Sequence, residues 1–514
     1  MAAENPLTRS LLQGRATAGP DLRVHLSDRD GASLHDKMRQ AYWWITNNAV
    51  ICPYYDIEFG GGFRLKNNAE DELVLHDAMS YSSFALIPML TLFTCRRALL
   101  IGGPGRGKTT SAILMALIAG MTRDEVRRSI QRGHPQLSIS DLLGAPLPSD
   151  MLKAEDMSEI KIGWRKWIGQ RAKIIDEYNR IPTKTQSALL SLMAEGYAEM
   201  FDQYVYAGRS SWFLTANDDA GGGTFQVIEA LKDRIDVVVR AVPFNSGFLE
   251  VLLRRIEADK TPEELVPSEI VFTDKELERI YVAILAVRIP EPVVERLGFF
   301  LGPLDFCRMA SPQFEAKSKD TLKLAGQTVG AVCNEQCPLD KKVHLCTQTE
   351  NGVSARAYQT ALHFAKALAY FRGHEEVEQE DLRQIVPWVL HEKLVPNARS
   401  PFFEAKGRRA LLQDRVAWIR NMFDMAMEQY PKHEPARKKV RALRGQLLTS
   451  DGGVPPGTPL KEAQARLGQI QQLLEQLMTK SELSGPVYED LIHLKSMYSR
   501  YQNYLHWLKQ STSR

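Results

Sequence analysis

The sequence predicts an α/β fold, a parallel sheet with helices on both faces, followed by α-helical regions that run to the end of the chain. Three observations lead there. Short apolar runs alternate with helix-length segments through the first half, the pattern of right-handed crossovers between parallel strands. One of those runs passes straight into a glycine-rich loop, and beyond Pro243 helical periodicity replaces the strand-like runs.

Bulk properties narrow the class. At 514 residues the chain is long enough for three or four domains. Lys+Arg 65 against Asp+Glu 62 leaves a net charge of +3, too even for a protein that binds nucleic acid along its whole length. Hydrophobic residues at 44% and charged residues at 25% exclude wholesale disorder. The longest apolar stretch, Phe84 to Phe93, contains a proline and falls well short of the roughly 20 residues that a membrane span needs. With no apolar signal segment at the start, a cytoplasmic location is expected. Six cysteines argue against a disulfide scaffold.

The elements follow in order. Residues 1–60 divide into a polar arm, to about residue 35, and an aromatic docking segment with Tyr42, Trp43, Trp44, Tyr54 and Tyr55. The spacing over 71–95 predicts a helix broken near Pro88. Ala98 to Ile101 is a short, continuous apolar run that suits a buried parallel strand. Three similar runs follow, Ala172 to Ile175, Trp212 to Ala216 and Val237 to Val239, separated by helical segments that include Thr109 to Met121 and Thr185 to Ala194. This defines a core at 61–245, a helical segment at 246–395 and a helical C-terminal domain at 396–514. A Gly/Pro linker near 450–459 precedes two helices with single apolar stripes, which predict an antiparallel hairpin at 460–510.

Chemistry concentrates at the strand ends. Gly102, Gly103, Pro104, Gly105, Arg106, Gly107, Lys108 and Thr109 fit G-x-x-x-x-G-K-[ST] between a strand and a helix, and with Thr110 they form the expected nucleotide-binding set. Glycines let backbone N–H groups curl around phosphates, and the helix N-terminus adds its dipole. Lys108 is placed to reach the β and γ phosphates, and Thr109 to offer a hydroxyl to Mg²⁺. The run Lys173-Ile174-Ile175-Asp176-Glu177 reads as the acidic strand end that accompanies such a loop. Asp176 joins the Mg²⁺ shell, and Glu177 orients and polarises the attacking water. Asn217 closes the next strand, where a polar side chain reaches the γ-phosphate and that water. ATP and Mg²⁺ are the cofactors expected.

At these residues the chain resembles AAA+ ATPases, and within them the MoxR family. Asp176 to Leu190, continued by Met193-Ala194-Glu195-Gly196, is similar to that family's extended Walker B run. Asn217, Gly223-Thr224 and Glu229 to Ile235 resemble its sensor 1 and arginine-finger stretch, and Ser354-Ala355-Arg356-Ala357 its sensor 2 region. The resemblance covers about 70–300 and 350–395. It implies an AAA+ core with an α-helical lid, with Arg234 acting across a subunit boundary and Arg356 contacting nucleotide from the lid. It also implies inserts at Leu137 to Gly163 and around Tyr197 to Tyr206, a homo-oligomeric ring, a hexamer, and a protein client. The usual partner is a von Willebrand factor A domain protein, here acting in trans, because the chain has no D-x-S-x-S motif. Asp218-Asp219 depart from the family, which has a proline after the sensor asparagine, and residues 302–350 have no counterpart in it.

Two features stand apart. Cys333, Cys337, His344 and Cys346 lie within fourteen residues, with Cys307 nearby. Zinc held by these four, unpaired thiols and an iron–sulfur cluster all remain open readings. Residues 406–444 hold eleven Lys/Arg against four Asp/Glu, a local +7 that suits either a solvated face or a phosphate backbone. The leading expectation is therefore a MoxR-like ATPase that remodels or matures a protein. The alternatives are a nucleic-acid-associated AAA+ motor or defence-system NTPase, and a nucleotide-switched scaffold.

Overall fold

The computed structural model describes residues 34–51, 53–68, 72–148, 160–217, 233–241, 243–259 and 261–512. The expected arm, Asp218-Asp219, Gly223-Thr224 and Glu229 to Lys232 lie outside them. The chain forms two compact units, Met1–Pro290 with Ala355–Val389, and Glu291–Ser354 with Leu390–Arg514.

The first unit is built on five parallel strands: β1 (Arg97–Ile101), β2 (Ile130–Arg132), β3 (Ala172–Asp176), β4 (Ser211–Ala216) and β5 (Val237–Arg240). Their order across the sheet is β5-β1-β4-β3-β2. Every residue of β4 is buried, as expected for a central strand covered on both faces. Helix Ser83–Thr94 is buried over its whole length. On the sheet, Leu99, Ile175, Trp212 and Leu214 share a core with Leu142, Trp167, Tyr178 and Leu189. The Trp167 indole N–H donates to the Leu142 carbonyl at 2.6 Å, so the core satisfies its polar atom too.

The structure departs from the sequence pattern at three points. The helix predicted over 71–95 begins at Ser83 and runs through Pro88 unbroken. Upstream, Gly62–Lys66 and Glu72–His76 form an antiparallel hairpin, where cross-strand pairs Phe63 with Leu75 and Leu65 with Leu73 set the register. Strand β2 was not foreseen, since Ile130-Gln131-Arg132 is too short and polar for a periodic signal.

Within the insert at 137–163, helix Ile139–Leu143 leads to a pair of antiparallel strands, Gly144–Pro146 with Ile162–Trp164; residues 149–159 lie outside the described set. In the insert expected around Tyr197 to Tyr206, Tyr197–Met200 and Gln203–Tyr206 pair antiparallel as a hairpin. In the docking segment Tyr42 and Trp44 are buried, while Trp43 stays partly exposed.

The second unit is helical. Helices Arg415–Leu447, Leu460–Lys480 and Gly485–Thr512 share one core. Ala463, Ile470 and Leu477 are buried along one stripe, and Leu491, Leu494, Tyr501 and Leu505 along another. Among the described residues no helix is long and apolar enough to cross a membrane.

Candidate active site

Register decides where the site lies. Ala216 pairs with Ile101 and Leu214 with Ile175, so the carboxyl ends of β1, β3 and β4 sit side by side. In open α/β sheets that edge, at the point where strand order reverses, is where ligands bind. The loop 102–107, Asp176-Glu177 and Asn217 all emerge there.

The loop turns into helix Lys108–Ile118 at Gly107, whose φ of 75° lies in the left-handed region that glycine enters without strain. Lys108 is buried and donates to the carbonyls of Gly102 at 2.6 Å and Gly103 at 2.8 Å. It also donates to Asn217 Oδ1 at 3.0 Å. Asn217 in turn donates through Nδ2 to Glu177 Oε1 at 3.2 Å. The asparagine thus bridges the loop cation and the acid that follows β3. Pro104 and Gly105 lie in the loop turn, and Thr110 in the first turn of the helix. Arg106 leans on the neighbouring strand exit, donating to the Ala241 carbonyl at 3.1 Å.

Thr109 Oγ1 donates to Asp176 Oδ1 at 2.9 Å, and Thr215 Oγ1 donates to the same oxygen at 2.6 Å. A hydroxyl and a carboxylate held together are hard oxygen donors, a set that fits Mg²⁺. Glu177 is in the left-handed region at φ 52°, and its N–H donates to Thr215 Oγ1 at 3.0 Å. Such conformations cost of order 1–3 kcal/mol and cluster at functional sites. Arg180 reaches back to Glu177 Oε2 at 3.3 Å.

Two contributors were not singled out from the sequence. Thr215 fixes both acids, and its only signal was a polar residue in an apolar strand. Gly133 follows β2; its N–H donates to the Asp176 carbonyl at 2.7 Å, and a Cβ there would lie 2.2 Å from the Glu177 carbonyl oxygen. Only glycine permits that approach.

Arg234 and Arg356 are not gathered with this set. Arg97, the first residue of β1, donates to the Arg234 carbonyl at 2.9 Å, and its backbone N–H donates to Asp236 at 3.0 Å. Arg356, in helix Ala355–Arg372, donates to Asp233 Oδ2 at 3.0 Å. Both therefore lie at the amino end of the strands. At ~3.3 Å per residue, five-residue β1 separates its two ends by about 13 Å.

Of the three readings of the cysteines, the structure favours unpaired thiols. Cys346 packs with Phe306, Leu339 and Cys337, whereas Cys333 packs with Cys307, Leu322 and Val329 in a separate cluster. Burial pushes the Cys346 thiol up to about 12 and raises Cys333 and Cys307, which favours neutral thiols over metal-binding thiolates. Among the described residues, the set close enough to share an ion is His374, Glu378 and Asp381, and Arg372 already bonds to both of those carboxylates. Zinc at Cys333, Cys337, His344 and Cys346 is not supported.

The basic stretch is partly neutralised in place. Arg437 faces Glu489 and Asp490, Arg441 faces Glu291 and Glu295, Lys438 pairs with Glu434, and Arg415 with Glu392.

The AAA lid domain model matches residues 342–415, which contain Arg356. No curated protein matches the chain in sequence. In the comparison with solved structures, 338 chains match. One is a candidate ATPase from Cytophaga hutchinsonii ATCC 33406, 19% identical, with a TM-score of 0.45, covering 65% of this chain and 89% of its own. With its five-stranded parallel sheet in the order β5-β1-β4-β3-β2, its flanking helices and its matched lid segment, the chain has the AAA+ fold.

Proposed function

We propose that the protein is a MoxR-like AAA+ ATPase, which hydrolyses ATP in a homo-oligomeric ring to remodel or mature a protein client. The observation that carries the catalytic part is the convergence of Lys108, Thr109, Asp176, Glu177 and Asn217 at one sheet edge, linked by hydrogen bonds of 2.9–3.2 Å. Phosphoryl transfer to water asks little covalent chemistry of a protein; it asks for positioning and charge neutralisation. The Lys108 ammonium is held where a triphosphate would replace its carbonyl partners. Thr109 and Asp176 would hold Mg²⁺, which supplies further neutralisation when bound. Glu177, restrained through its N–H and by Asn217, is positioned to orient water and take up its proton.

The placement of Arg234 and Arg356 supports a ring. A gap of about 13 Å from the loop end exceeds what an arginine side chain spans, so neither serves its own subunit's loop readily. Each is better placed to serve a neighbour. A von Willebrand factor A domain partner follows from the resemblance alone. The internal ion pairs of residues 406–444 weigh against the nucleic-acid motor. Malachite-green phosphate release with and without DNA tests both readings. Activity independent of DNA is expected, and no release under any condition refutes the ATPase. Capture of bound proteins on the Glu177→Gln chain, with ATP and without it, tests the client: ATP-dependent retention of a specific protein is expected.

A further inference from the structure

The segment that leads into β5 is gripped from one side by the lid helix. Arg356 and Thr360 lie one turn apart on helix Ala355–Arg372. They meet two acids three residues apart: Arg356 Nη1 donates to Asp233 Oδ2 at 3.0 Å, and Thr360 Oγ1 donates to Asp236 Oδ1 at 2.7 Å. Between those acids sits Arg234. The other oxygen of Asp236 accepts from the Arg97 N–H at 3.0 Å, and the Arg97 guanidinium donates to the Arg234 carbonyl at 2.9 Å. Asp236 is 4% exposed and its carboxylate is bonded on both oxygens, so this anchor is buried and fully bonded. The Arg356–Asp233 pair is different: its side chains are 49% and 33% exposed, leaving the guanidinium accessible.

We propose that Asp233 is a positioning residue, which with the Thr360–Asp236 anchor holds Arg356 beside Arg234 so that the two present a paired cation to the neighbouring subunit's nucleotide. This rests on the ATPase reading above and adds the device that assembles its trans cations. An unrestrained arginine spreads over many rotamers, and ordering it costs side-chain entropy. A carboxylate bonded to one Nη meets part of that cost before the neighbour's phosphates arrive, while the other guanidinium N–H groups stay available. Because the pair is exposed it is weak. Phosphate can therefore share or displace the carboxylate. The same contact makes the lid sense the segment that carries Arg234, so movement of either arginine is passed to the other.

A double-mutant cycle on the full chain tests this, with ATP turnover, MgATP affinity and unfolding temperature as readouts. Asp233→Asn is expected to lower kcat about tenfold, leaving ATP affinity in its own site and the unfolding midpoint near those of the parent. Asp233→Glu, which keeps the charge, should recover most of that loss. In the background of Arg356→Ala, adding Asp233→Asn should cost little more, since Asp233 then has no guanidinium to place. Full turnover by Asp233→Asn, or losses that multiply in the double variant, would overturn the proposal while leaving the ATPase reading intact. Wild-type turnover by Arg356→Ala would instead remove the role assigned to Arg356, and the proposal with it.

Discussion

Lys108 sits among three oxygens, two from its own loop and one from Asn217. It is the cation of the loop that can face β and γ phosphates, so Lys108→Ala should abolish ATP binding. Retained micromolar affinity, measured by calorimetry, would refute the reading of the loop. Glu177→Gln separates binding from chemistry. It keeps the shape and the bond from Asn217 but cannot take up a proton, so ATP should still bind while hydrolysis falls at least ~100-fold. Near-normal turnover would move the base elsewhere. Gly133 supplies a test that no motif suggests. A methyl group there meets the Glu177 carbonyl oxygen at 2.2 Å, and backbone on both sides must shift. Displacing a catalytic group by about 1 Å can cost on the order of 100-fold, so Gly133→Ala should lose turnover well before it loses ATP affinity. Unchanged kcat in that variant would show that the approach of β2 to Glu177 does not matter.

At the scale of elements, β3 carries an oddity visible in the sequence, a lysine inside a central strand. Lys173 is fully buried, its ammonium donating to the carbonyls of Gln170 at 2.6 Å and Ala207 at 3.1 Å, with Trp212 beneath it at 5.3 Å. Burial lowers its pKa from 10.5 to about 7. The unfolded chain then binds this proton more tightly than the folded one, so folding should become more favourable as pH rises from about 7 towards 10.5. Lys173→Met removes that dependence. The urea midpoint of the parent should rise relative to the variant between pH 7 and 9.5, and parallel profiles would sink the assignment. The same strand shows what a sequence can and cannot reveal. Apolar runs marked β1, β3 and β4 because central parallel strands have no solvent face to break them, and edge strand β5 because Val237, Val238 and Val239 are all buried. Strand β2, at an edge and three residues long, left no pattern. The hairpin at 62–76 left a misleading one, since short apolar segments fit either period. The loop, the two acids and Asn217 were legible because each must be a particular residue type at a strand end. Thr215 and Gly133 act through register and close approach, which only the fold creates. Nearness in sequence failed for the cysteines, because chain reversals send Cys333 and Cys346 into different clusters.

At the scale of the whole assembly, the question is where Arg234 acts. It lies between Asp233 and Asp236, at the amino end of the strands, while Lys108 and Glu177 lie at the carboxyl end. On the proposed reading the second cation for the transition state comes from a neighbouring subunit, and such arginines contribute ~10³–10⁵ in rate where they act. Arg234→Ala should accordingly bind ATP and lose most hydrolysis. On its own that result fits a cis role too. Mixing it with the Glu177→Gln chain separates the two. In a mixed ring, some interfaces pair an intact Glu177 on the Arg234→Ala subunit with an intact Arg234 on the Glu177→Gln neighbour, and those sites are complete. Activity should therefore appear in the mixture above that of either parent, greatest near equal proportions, where such interfaces are most numerous. If Arg234 worked within its own subunit, every subunit would carry one lesion in its own site, and no proportion could restore turnover. Mass measurement of the mixed rings guards against subunits that fail to exchange. With exchange verified, the absence of any recovery would exclude Arg234 as a donor to its neighbour.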